Sequence, residues 1–177
     1  MIARTWDGVT EAPEPPSGEA AALADEVHRI AEGDPWHGPS LAELLEGISS
    51  DQASAHPLAG GHSVWELVLH VAAWVDVGRR RLEGQAVEEP EAGDYPPVGP
   101  RTAEGWEAAK ADLMSGLRRL RDSVARLTAA ELDSPTPGRP FPRRFQVGSS
   151  VRHVVYHSGQ IGILKRALQL PPRLIQR

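Results

Sequence analysis

The sequence predicts an all-α fold, a four-helix bundle, on three observations. Apolar residues recur at helical spacing in four long segments, no segment alternates apolar and polar residues as a strand does, and the connections are rich in proline and glycine. With 40% hydrophobic residues and only 24% charged ones, the 177-residue chain can bury one sizeable core without disulfides. The 16 prolines and 17 glycines place long irregular connections between its helices.

A proline-rich lead over residues 1–16 ends in Glu11-Ala-Pro-Glu-Pro-Pro16 and is expected to lie extended. A single domain is expected over 17–170, and Pro171-Pro172 opens a short tail, 171–177. Within the domain, Leu23, Val27 and Ile30 recur four and three residues apart, opposite Asp25, Glu26 and Arg29, which predicts an amphipathic helix over about 18–32, stopped by Gly33-Asp-Pro35. Ser40-Leu-Ala-Glu43 has the form of a capping box and opens a short connector helix. A second box, Ser63-Val-Trp-Glu66, starts a segment apolar almost all round, from Val64 through Leu67, Val71 and Trp74 to Val77. Arg79, Arg80 and Arg81 suit its carbonyl-rich end, and Gly84 is its stop.

Residues 85–101 read as an acidic, proline-rich loop. Thr102 then caps the clearest helix of the chain, with its stripe Leu113, Leu117, Leu120, Val124 and Leu127. Thr128-Ala-Ala-Glu131 forms a short turn. Residues 134–147 read as a second proline-rich loop, and Gly148-Ser-Ser150 as the launch of a last helix over about 151–169.

The net charge of -5 argues against a broad nucleic-acid surface, which needs clustered Lys and Arg. Because the chain has no cysteine, thiol chemistry would need a thiol brought by the substrate, and metal binding must use nitrogen and oxygen ligands. No basic and apolar leader and no apolar run of membrane-spanning length is present, so a cytoplasmic protein without membrane partners is expected.

Position separates the seven histidines. His28, His37, His56 and His62 fall on a polar shoulder, in turns, or before a cap, and are expected to be solvated or locally bonded. His70 lies two turns into the most apolar helix, where a neutral imidazole needs partners for both nitrogens. His153 and His157 stand four apart, about 6 Å along a helix axis, so both rings can reach one ion. The intervening Val154-Val-Tyr156 lacks the glutamate of H-E-x-x-H and disfavours a zinc-peptidase mechanism. Gln160 continues the same face and could hold a water or a substrate atom beside a metal. Glu66, one turn before His70, is either its ring-orienting partner or simply a capping residue.

The stretches Asp34-Pro-Trp-His-Gly-Pro-Ser40 with the following Leu-Ala-Glu-Leu-Leu45, then His62 to Trp74, then His153-Val-Val-Tyr-His157-Ser-Gly-Gln-Ile161 resemble the DinB-like superfamily of metal-binding helical bundles. The resemblance runs from about Leu23 to Leu168. It implies one divalent ion on His70, His153 and His157, an up-down-down-up bundle whose long connection is 85–101, and a homodimer. Val154 departs from the polar residue that relatives often carry there.

Three imidazoles leave coordination positions open, as in a catalytic site. The resemblance supplies two chemistries, transfer of a low-molecular-weight thiol and hydrolysis by an activated water, on Zn, Ni or Fe(II). Arg139, Arg143 and Arg144 precede the last helix and could contact an anionic thiol or carboxylate, or be solvated loop charges. The alternative is a non-catalytic metal-binding or stress-response bundle in which the ion stabilises the fold.

Overall fold

Serine and threonine caps cut the chain into its helices. A computed structural model describes residues 16–168, and among these the chain forms seven helices. They are α1 (Gly18–Glu32), α2 (Leu41–Leu45), α3 (Ser50–Ser54), α4 (Val64–Leu82), α5 (Ala103–Ala125), α6 (Ala129–Asp133) and α7 (Arg143–Ala167). At α2, α3, α4 and α6 a complete capping box is present: Ser40, Ser49, Ser63 or Thr128 accepts a backbone N–H, and Glu43, Gln52, Glu66 or Glu131 accepts the N–H of the cap. Ser17 and Thr102 cap α1 and α5 from their side chains. Among the described residues there is no strand, and Pro135 and Pro142 form an isolated antiparallel bridge. No helix among them is long and apolar enough to cross a membrane.

The four long helices α1, α4, α5 and α7 bury their apolar faces against one another. Leu113, Leu117, Leu120 and Val124 of α5 are all buried, as are Val64, Leu67, Val68, Val71 and Val75 of α4. Each fully buried Leu or Val contributes roughly 1.5–3 kcal/mol relative to exposure.

Contacts at both ends fix the helix directions. Trp65 lies against Trp106 near the start of α4 and α5, and Ser123 donates to Glu83 at 2.7 Å near their ends, so the two helices run the same way. His70 meets His153 and His157, while Arg81 reaches Gln146 farther on, so α7 runs against α4. Ser17 N–H donates to the Leu127 carbonyl and Arg118 pairs with Glu32, so α1 runs against α5.

Because α4 and α5 are parallel, the segment between them must return along the whole of α4, about 28 Å at 1.5 Å per residue. That segment is fastened to α4 at successive points. Buried Arg81 donates from Nε to the Val87 carbonyl and from a terminal nitrogen to the Glu88 carbonyl, both at 2.7 Å. Arg80 pairs with Glu91, and Trp74 Nε1 donates to Asp94 Oδ1 at 2.7 Å.

Two expectations are corrected. The last helix begins at Arg143 and not near residue 151, and Gly148-Ser-Ser150 lies inside it. Of these residues Ser150 serves helix packing: a Cβ at Gly78 of α4 would fall 2.6 Å from Ser150 Oγ, and Ser150 also accepts from Gln146 Nε2. Helix α3 was not anticipated, although Ser49 and Gln52 carry the capping-box pattern that forms it. The lead residues 1–15 and the tail 171–177 lie outside the described residues.

Gly78→Val is expected to lower stability by about 1–3 kcal/mol through overpacking against α7. Adding Ser150→Ala should recover part of that loss, and urea denaturation of the two variants checks the coupling.

Candidate metal centre

His70 enters the α4/α7 interface from the second turn of α4. His153 and His157, one turn apart on α7, face it from the opposite side. Their Nε2 atoms form a near-equilateral triangle: 3.0 Å from His70 to His153, 3.1 Å from His70 to His157, and 3.2 Å from His157 to His153. Among the described residues this is the group of three that could hold a metal ion. His70 and His157 are buried, and His153 is the partly exposed member.

The other ring nitrogens decide what the triangle can bind. His70 Nδ1 lies 2.7 Å from the main-chain carbonyl of Asp94, which can only accept, so that nitrogen carries the hydrogen. His157 Nδ1 donates in the same way to Gln160 Oε1 at 2.8 Å. Both neutral rings therefore aim Nε2 lone pairs at one point, 3.1 Å apart. Such an arrangement repels unless a cation stands between the nitrogens. Nitrogens about 2.0–2.1 Å from a shared ion lie at about this mutual spacing, so the donor set fits a divalent metal.

Burial, followed by the charges of His157 and His70, pushes the pKa of His153 down to about 4. Burial also lowers His157, against the Gln160 hydrogen bond that opposes it. For His153 and His157 this favours the neutral form, the state in which imidazole binds a metal.

Aromatic side chains wall the site. Tyr95 stacks on His70 with ring centroids 4.3 Å apart, and its other side stacks on His62 at 3.8 Å. Trp74 presents its ring edge-on to His70 and His153. Asp94 and Tyr95 could not be found by periodicity, because they sit in an irregular loop. Trp74 could, since it follows His70 by one helical turn.

The remaining candidates fall as follows. Gln160 touches His157 itself. Glu66 accepts from Ser63 N–H at 2.7 Å and lies 3.0 Å from His56, so of its two readings it takes the capping one, and Asp94 is the residue that bonds His70. Arg143 and Arg144, read either as an anion contact or as solvated charges, do not adjoin the cluster. These residues open α7 nine or ten positions before His153, about 14–15 Å along the axis, and Arg144 pairs with Glu19 and Asp133. Arg139 donates to the Glu88 carbonyl.

Asp94→Ala removes the Trp74 hydrogen bond and loosens the carbonyl that orients His70. It is expected to weaken metal affinity about 10–100-fold, measured by chelator competition. In chelator, the unfolded chain binds protons more readily than these depressed rings, so stability should fall as pH drops from about 6.5 toward about 4. His153→Ala should flatten that slope, read as melting temperature against pH.

A family model described as the DinB superfamily matches residues 36–160, which include all three histidines. No curated protein and no solved structure matches the chain.

Proposed function

Because this chain belongs to the DinB superfamily, we propose that it is a metal-dependent enzyme in which His70, His153 and His157 hold one divalent ion, and that its reaction uses an activated thiol or water. The observation that carries this reading is the triangle of Nε2 atoms with two of its rings fixed as lone-pair donors from behind. An ion bound there would supply Lewis acidity, lowering the pKa of a thiol or water beside it. The chain's own residues do the rest. The Asp94 carbonyl and Gln160 hold the tautomers, the Tyr95 ring covers one face of His70, and partly exposed His153 marks the side open to a ligand.

The pairwise helix directions support an up-down-down-up four-helix bundle in one domain. A homodimer follows from the family likeness alone. Zn, Ni and Fe(II) all accept three neutral imidazoles, so the donor set leaves these three open. Arg143 and Arg144 do not stand beside the cluster to favour an anionic thiol, and the thiol and water chemistries stand level.

A second reading is a non-catalytic bundle stabilised by the ion. It is favoured by the placement of the one carboxylate against the cluster: Asp94 Oδ1 accepts from Trp74 and lies 3.2 Å from His70 Nδ1, which occupies it away from a general acid or base role.

Elemental analysis of untagged protein is expected to find one divalent ion per chain, lost in His70→Ala. Turnover of an electrophile with a low-molecular-weight thiol, or of an ester or amide with water, should disappear on chelation and return with metal. Metal-dependent gain in melting temperature with no turnover in either assay would favour the non-catalytic reading, and absence of metal uptake would remove both.

A further inference from the structure

We propose that the apolar groove beside the histidine centre, between the α3–α4 connection, α4 and α7, receives an uncharged hydrocarbon limb of the ligand whose polar head sits at that centre. The inference rests on the metal reading and adds the class of ligand.

Continuity is the first argument. Gln160, whose Oε1 accepts from His157, lines the groove, and so does His62, which stacks on the Tyr95 ring covering His70. The groove therefore begins past Gln160 and the Tyr95 ring, one side chain away from the three imidazoles, none of which lines it.

Chemistry is the second. Leu67 and Leu164 are buried beneath the groove, and Leu58 and Ile163 stand at its rim, 45% and 58% exposed. Among the described residues, none that lines the groove is an Asp, Glu, Lys or Arg. A carboxylate or phosphate placed there would lose hydration with no partner to replace it, whereas a hydrocarbon would cover apolar surface now facing water. The basic residues Arg143 and Arg144 lie at the other end of α7, with Arg144 paired to Glu19 and Asp133.

Size is the third. The groove measures about 220 Å³, below the roughly 300–1,000 Å³ of pockets that enclose a whole drug-sized ligand. It suits one short limb of a molecule anchored elsewhere, and the anchor is the adjoining centre.

The test uses the full chain loaded with cobalt(II), titrated with acetohydroxamic, butanohydroxamic and hexanohydroxamic acids and read by visible absorption. The hydroxamate head reports the metal centre and the chain length reports the groove. Affinity is expected to rise roughly two- to fourfold for each added methylene. Ile163→Asp should abolish that dependence on length, and Phe145→Asp, at an exposed aromatic near the start of α7, should leave it in place. Head-group binding with a flat series, or a length dependence that survives Ile163→Asp, overturns this inference alone. Failure of cobalt to bind overturns the metal reading and this inference with it, whereas cobalt uptake with no affinity for any hydroxamate overturns this inference alone.

Discussion

The parallel course of α4 and α5 obliges the chain to travel back along α4 before α5 can begin, and the return path sets the character of the site. Arg81 and Arg80 hold its first part, and Trp74 and His70 hold Asp94. The same main-chain carbonyl that ends this run fixes the tautomer of His70. Topology and ligand chemistry therefore meet in one hydrogen bond of 2.7 Å. A tight two-residue turn could not supply it, since it would place the next helix antiparallel and leave His70 Nδ1 to some other acceptor.

Electrostatics at the two ends of the α4/α7 interface differ in kind. At one end three imidazoles face each other, and burial depresses the proton affinity of His153 and His157. At the other, Arg81 is buried without a carboxylate partner and satisfies its guanidinium with the Val87 and Glu88 carbonyls and Gln146 Oε1. Burial and the nearby Arg139 charge lower its pKa, but an arginine remains protonated. Truncating it would take the side-chain donor from the half-buried Val87 carbonyl, leave the Glu88 carbonyl to Arg139 alone, and loosen the segment that carries Asp94.

Much of this was legible in the residue pattern, and the exceptions share a cause. The stripe of α5 and the all-round apolarity of α4 marked buried helices, and the pair His153 and His157 marked one face of α7, because local spacing alone determines each. The first turns of α7 were not legible. Their Pro142 cap makes no side-chain hydrogen bond, and in the Gly-Ser-Ser run that looks like a break Ser150 packs against α4 at Gly78. Asp94 and Tyr95 were hidden for a different reason: their contacts depend on the path of an irregular connection, which no periodicity encodes. Arg143 and Arg144 were close to the histidines in sequence, yet a continuous helix carries them three turns away.

The sandwich of Tyr95 between His62 and His70 makes the crossover behave as a ruler. Its length from Leu82 to Tyr95 is matched to the distance from the end of α4 back to the ring it must cover, with carbonyl contacts at Val87 and Glu88 as intermediate marks. Adding or deleting one residue between Glu88 and Asp94 would slide every later mark, exchanging the stacked phenol for a proline or a carboxylate. Variation in loop size, ordinarily the cheapest change a helical protein can accept, would here read directly into the coordination chemistry.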